Sequence, residues 1–540
     1  SSSAASDVYK RQIRKAFSLI VDHQQQELTL ANVPPEDRQV YDMLCKADAI
    51  GVFQVESRAQ LNFLPRMQPR KFYDLVCEVA IVRPGPIQGG MVHPFINRRQ
   101  GREKVEDLGP AMMEVLGRTY GVPLFQEQAM QIAVVAAGFS PSEADRLRRS
   151  LATFKRMGTI GGFRDRFVGG MLERGYDADF AARCFAQIEG FGSYGFPESH
   201  AASFARLVYV SAWLKRHHQA IFTCALLNAQ PMGFYAPAQL VRDARDHGVE
   251  VRPVSVNHSV WDCTIEPRAD GSLALRLGFR QVKGMREEDA VWIAAARGNG
   301  YPDVESVWRR AGVWPDALDR LAEADGFAGL GLSRRDALWQ ARALKAPKPL
   351  PLFGMDGEGG AEPVVDLPRM TLGQEVIEDY LSLRLSLRAH PMEILRPGLP
   401  ESLPAERLSV AKGRVVLTGL VITRQRPGTA SGVVFLTLED ETGTANVVVW
   451  RKVYEAFRPA VVAGRLLRVT GRIERDGQVV HLIAERIEDL SARLSTIGHQ
   501  LRIGAETERA GETVRPTRTS GRARHPREQA KKLFPSRDFH

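Results

Sequence analysis

Residues 413–427 read GRVVLTGLVITRQRP, and the segments that follow repeat the pattern: GVVFLTLEDETG (432–443), TANVVVW (444–450), RLLRVTGRIERDG (465–477) and QVVHLIAERIEDL (478–490). Each is a short run of alternating, β-branched and apolar residues bounded by turn signals, which reads as a strand. A helix-like insert, RKVYEAFRPAVVAG (451–464), stands between the third and the fourth. Three strands, a helix and two strands is the order of an OB-fold β-barrel, and it assigns 398–497 to one such domain.

Working outward, GQEVIEDYLSLRLS (373–386) carries helical periodicity, and the stretch before it, 345–368, is Pro- and Gly-rich and reads as a linker. The two together are assigned to 345–397. Upstream, VEVRPVSVN (249–257), SVWDCTIEP (259–267) and GSLALRLGF (271–279) read as short strands. They lead into GFRQVKGMREEDAVWIAAARGNG (278–300), where a turn at Gly284 opens a helix that ends at Gly298. That is a helix-hairpin-helix pattern, which offers backbone N–H groups to a phosphate, and 236–344 is assigned to it. From 13 to 235 apolar residues recur at helical spacing, broken by RPGPIQGG (83–90) and EGFGSYGFPESH (189–200). Residues 1–12, SSSAASDVYKRQ, are small, polar and aperiodic, and are set apart as a foreign leader or a native disordered end. The segment 498–540 is basic and polar and is expected to be a disordered tail. The fold class is therefore multidomain α+β: a mainly helical domain, a helix-hairpin-helix domain, a five-stranded OB-fold barrel and a basic tail.

The totals fit this division. A chain of 540 residues exceeds one core, and 44% hydrophobic with 25% charged residues is ordinary globular composition. The net charge of +10 points to a polyanionic partner, nucleic acid before membrane. No apolar run approaches the roughly 18 residues of a span, so no membrane partner is expected. Cys45, Cys77, Cys184, Cys224 and Cys263 show no metal-binding spacing and sit in apolar contexts, which predicts free thiols in a reducing, cytoplasmic setting.

The segment ADRLRRSLATFKR (144–156) places Leu147, Leu151 and Phe154 on one arc of a helix and Arg148, Arg149, Lys155 and Arg156 on another. The cationic arc reads as having no acid of its own. A solvated face and a phosphate site both fit it.

Several blocks occur in a fixed order: GVFQVESRAQ (51–60), VAIVRPGPIQGGMVHPFINRRQGRE (79–103), YGVPLFQEQAMQIA (120–133), the 144–156 segment and FGSYGFPESHAASFA (191–205). Together they resemble the fingers domain of the bacterial C-family DNA polymerases, the replicative alpha-subunit family. The hairpin, the linker and the OB pattern continue that order over residues 13–540. PESHAASFA, LATFKR and the final KKLFPSRDFH are similar to the error-prone, damage-induced branch.

The resemblance implies a role in DNA-directed DNA polymerisation, with a DNA primer-template and dNTPs as ligands. It implies that Mg²⁺ is bound by three aspartates of a palm domain that, with a PHP domain, lies upstream of residue 13. On that reading this chain holds no catalytic or metal residue and is inactive alone. The Asp177-Ala-Asp179 pair reads instead as a helix cap. A non-catalytic nucleic-acid-binding protein built from the same modules is the alternative.

The fingers resemblance assigns Arg148 and Arg149, with Lys155 or Arg156 nearby, to the triphosphate. Arg83, on a Pro-stiffened loop, is assigned to a nucleotide or template phosphate, or else to a structural ion pair. Tyr194, Phe196, Ser199 and His200 form a turn beside a base pair or a packed corner. Gln126 and Glu127 start a helix in the same site, or Glu127 simply favours the helix dipole. Lys283 and Gly284 would hold duplex DNA by its phosphates. Arg424, Phe435, Trp450 and Arg468 are candidates for a single-strand groove, Phe435 fitting a barrel interior equally well. PLPLF (349–353) stands where relatives carry a sliding-clamp peptide but lacks its Gln, so clamp binding is expected to be weak or indirect. The basic tail, with Arg522, Arg524 and Arg527, would meet accessory mutagenesis proteins or DNA.

Overall fold

The computed structural model describes residues 2–82, 90–105, 108–157, 161–190, 197–231, 235–344, 367–426, 432–476, 479–497, 533 and 537–539. The chain divides into a first unit over Ser1–Phe222 and a second over Thr223–Asp476 and Val480–His540.

The first unit is helical. Its centre is the helix Glu198–His217, whose segment LVYVSAWL leaves Val208, Val210, Ala212 and Leu214 fully buried and which packs along the helix Phe72–Ile81. Burial of the valine and leucine side chains gives about 1.5–3 kcal/mol each. Ion pairs with buried members lie inside the unit. Lys215 reaches Asp48 at 2.8 Å, and Arg99 clamps Asp74 with two bonds of 2.8 Å while donating to the carbonyl of Gln68 at 3.0 Å. The opening segment is not set apart as its composition suggests. One helix runs through Ser2–Gln24, Tyr9 is buried with its ring 4.9 Å from that of Phe53, its hydroxyl donates to Glu56, and Gln12 is buried. Tyr9 and Gln12 take the inward positions that Ile13, Ala16 and Ile20 continue at helical spacing.

In the second unit the three expected short strands are β1 (Val251–Arg252), β2 (Thr264–Pro267) and β3 (Leu273–Arg276), in the order β1-β3-β2. The hairpin follows: a 3₁₀ turn Phe279–Gln281, Gly284 at φ +79°, and the helix Glu287–Ala295. A positive φ there suits glycine, because a Cβ would be strained. The linker lies outside the described residues up to 366, and the helix after it is Leu372–Ser382, capped by Thr371.

The barrel strands are β4 (Arg414–Gln425), β5 (Val434–Glu439), β6 (Thr444–Val449), β7 (Leu466–Asp476) and β8 (Val479–Asp489). They close as β4-β5-β6-β8-β7-β4, with β6 and β8 parallel. Leu417 and Val421, Leu436 and Leu438, Val447 and Val449, Leu467 and Val469, and Leu482 and Ala484 fill the interior with period two. At Gly471 a Cβ would lie 2.1 Å from the carbonyl oxygen of Ile483, so only glycine lets β7 approach β8 there.

The tail differs from expectation at its far end. Arg537–Phe539 form β9, parallel to β4 at Thr423–Gln425, and Leu533 is buried with Met392, Leu420, Leu466 and Ile497. β7 pairs with β4 only as far as Leu420, and the register of β4 against β5 shifts between Val421 and Thr423. The β4 edge beyond Leu420 is left open, and β9 takes its backbone hydrogen bonds. Residues 498–532 lie outside the described residues.

Candidate nucleotide and nucleic-acid interface

The helix Pro141–Met157 starts where Ser140 and Glu143 cap each other. The Ser140 N–H and hydroxyl donate to Glu143 at 2.7 and 2.8 Å, and the Glu143 N–H returns a bond of 3.3 Å. Ala144 and Leu147 are buried, which turns Arg148 and Arg149 outward. Here the sequence reading is corrected. The stripe does own an acid: Asp145 takes Arg148 at 2.9 Å and Arg149 at 2.6 Å, three and four residues on. The Arg148 hydrogen bond first, then the Arg149 charge, hold its carboxyl below the usual range. The arginine side chains remain 43% and 67% exposed, and such pairs are worth only about 0–1 kcal/mol, so an arriving polyphosphate can displace the carboxylate.

Asp177 is spent as a cap. Its Oδ1 accepts the N–H groups of Asp179 at 2.9 Å and Phe180 at 3.1 Å, so the Asp-x-Asp pair does not fit a two-metal site. Glu127 accepts the backbone N–H of Glu198 at 3.0 Å, and Glu198 in turn accepts the Tyr73 hydroxyl at 2.9 Å, so both acids position the start of the helix that carries His200. His200 is exposed in that first turn, its ring 4.6 Å from Phe204. Arg83, Tyr194 and Phe196 lie outside the described residues, as do the side chains of Lys155 and Arg156.

In the second unit Lys283 is exposed at the hairpin, its backbone N–H bonded to the Ser382 carbonyl at 2.8 Å, and the Gly284 carbonyl accepts from Arg320. The proposed groove is only partly assembled. Trp450 is 54% exposed at the end of β6. Phe435 alternates with buried Val434 and Leu436, which puts it on the outer face rather than in the interior. Arg424 is corrected: it is 6% exposed and donates to the carbonyl oxygens of Val461, at 2.7 Å, and Gly464, closing the barrel end instead of facing a ligand. Arg468 is corrected likewise, because Glu488, at 3.0 Å from Nε, and Glu401 neutralise it.

Residues 11–175 match the profile of the bacterial DNA polymerase III alpha subunit finger domain, 248–337 a helix-hairpin-helix motif and 415–490 an OB-fold nucleic acid binding domain. A protein named error-prone DNA polymerase from Ruegeria pomeroyi is 67% identical over 98% of this chain and 48% of its own length. Proteins of the same name from Sinorhizobium medicae and Brucella abortus are 52% and 51% identical over 95% and 98% of this chain, and 49% and 50% of theirs. The chain belongs to the DNA polymerase III alpha-subunit family. It spans about half the length of these curated relatives. Within this polymerase family chain the cationic helix falls inside the finger match, the Lys283 hairpin inside the helix-hairpin-helix match and Trp450 inside the OB match. The Asp145 pairing was missed although its spacing from Arg148 and Arg149 is the signal for it.

Proposed function

We propose that the complete protein is an error-prone, DNA-directed DNA polymerase and that this chain supplies its nucleotide-binding fingers, duplex grip and single-strand module. The observation that carries the reading is the finger match over residues 11–175, with two nucleic-acid-binding modules following it in order. Arg148 and Arg149 exchange Asp145 for the triphosphate of an incoming dNTP, and their guanidinium forks neutralise charge as pyrophosphate leaves. Mg²⁺ would be held by carboxylates outside this chain and would supply charge stabilisation for nucleotidyl transfer. Accessory mutagenesis proteins or DNA meet the basic tail 498–540, clamp contact is weak or indirect, and the protein acts in the cytoplasm. Among the described residues no helix is long and apolar enough to cross a membrane.

The test is primer extension by this chain beside the full-length protein, with Mg²⁺ and four dNTPs, together with salt-dependent binding to a primer-template. Binding without extension by the chain, and extension by the full-length protein, is expected. Extension by the chain alone would place a catalytic carboxylate set within these residues. In the full-length protein Arg149→Ala raises the KM for dNTP or lowers kcat, and an unchanged kcat/KM would return the stripe to a solvated helix face.

A further inference from the structure

A cleft of about 550 Å³ opens in the second unit between the hairpin, the turn after the helix Leu372–Ser382 and strand β4 at 420–422. That is within the range of about 300–1,000 Å³ typical of ligand sites. Three cations line it. Arg280 is committed to Asp262 at 2.5 Å and to the Asn228 carbonyl at 2.8 Å. Lys283 and Arg384 are different: both are exposed, and among the described residues neither side chain has an acid or carbonyl partner. The acid that lines the cleft, Glu439, is buried and already serves Arg242 at 2.9 Å and Gln239 at 3.3 Å, with His390 at 3.6 Å.

The backbone adds an independent observation. Arg384 has φ +63°, in the left-handed region, at the position after the helix C-cap where glycine or asparagine is usual. A cationic side chain is kept there against local strain, which directs attention to what the side chain does. The bond from the Lys283 N–H to the Ser382 carbonyl fastens the hairpin to the same turn, so the two cations are carried on one connected piece of backbone.

We propose that Lys283 and Arg384 together bind the phosphate backbone of a nucleic-acid strand in this cleft, with Arg384 as a contact additional to the hairpin itself. The inference rests on the DNA-binding reading above and extends it. A strand gripped at the hairpin passes along the cleft beside β4, where an Arg guanidinium and a Lys ammonium meet successive phosphates without reading sequence.

The experiment measures Kd of the 540-residue chain for a fluorescent primer-template from 50 to 200 mM salt, for wild type and for Arg384→Gln, Arg384→Lys, Arg384→Gly and Lys283→Gln. One lost phosphate contact lowers the log–log salt slope by about 0.9, so the affinity ratio of wild type to Arg384→Gln should change by about 3.5-fold across that range. Arg384→Lys should keep the wild-type slope. Arg384→Gly, which relieves the positive φ, should lose the contact without losing thermal stability. A salt-dependent wild type with an unchanged Arg384→Gln slope overturns the cleft assignment and leaves the DNA-binding reading standing. Loss of binding only in variants whose melting temperature falls also overturns it, because the effect is then on folding. A wild type with no salt-dependent binding overturns both.

Discussion

Asp74 and Glu78 lie one turn apart on the helix Phe72–Ile81, both buried, in opposite electrostatic situations. Burial works against the Asp74 carboxylate, but Arg99 and the N–H groups of Arg70 and Lys71 outweigh it and hold the group below its usual range. Glu78 is fully buried, among the described residues neither carboxyl oxygen has a hydrogen-bond partner, and desolvation pushes it well above its usual value despite Arg99 nearby. The signs follow. Stability from Asp74 is present above its unfolded pKa of about 3.9 and is lost as pH falls through the lower folded value. Ionisation of Glu78 opposes folding from its unfolded pKa of about 4.3 upward. Asp74→Asn should therefore cost about 3–5 kcal/mol at neutral pH, the cost of leaving the Arg99 charge without its counter-ion, with the difference from wild type shrinking on acidification. Glu78→Gln should raise the melting temperature at neutral pH and lose that gain near pH 4. Thermal melts across pH check both, and a Glu78→Gln protein less stable than wild type at neutral pH would refute the second. At this scale the sequence was legible where the signal read was local, as in the Asp177 cap ahead of an apolar-periodic helix. It was not legible for Arg424 and Arg468, since strand alternation says which face a side chain takes but not that a carbonyl 37 residues away or a glutamate 20 residues away receives it.

Element by element, the barrel strands and the hairpin helix could be read because period-two alternation and turn residues are local signals. β9 could not. It is three residues long, sits in a basic, polar context, and exists because β7 leaves β4 after Leu420 and exposes an edge more than a hundred residues earlier in the chain. The same holds for Leu533, whose neighbours Met392, Leu420 and Leu466 come from three earlier segments. Because the three β9 backbone pairs are few, the buried leucine should supply much of the docking energy. Leu533→Ala is expected to destabilise the second unit by about 2–5 kcal/mol, read by chemical denaturation. A change below about 0.5 kcal/mol would mean that the segment leaves the β4 edge in solution.

For the molecule as a whole, a net charge of +10 gives a sequence-independent attraction to DNA that no single arginine explains, and it is strongly screened by salt. What distinguishes the modules is the second interaction each can add. The hairpin offers a cation and backbone but no exposed aromatic in its turn, so under the proposed duplex role its contacts would run through phosphates. The OB barrel presents Trp450 at 54% exposure just before the helix Arg451–Ala456, while Arg424 is buried and Arg468 is neutralised, so under the proposed single-strand role stacking on Trp450 is the interaction to test there. Stacking on one aromatic is worth about 1–3 kcal/mol, so Trp450→Ala should weaken binding of a single strand by about 5- to 150-fold, leave blunt duplex binding unchanged, and keep the wild-type salt slope. Lys283→Gln should do the reverse, lowering the slope on duplex while single-strand binding at the barrel persists. Fluorescence anisotropy with the two substrates across salt separates these outcomes, and equal losses on both substrates for Trp450→Ala would show that the tryptophan supports the barrel rather than the strand.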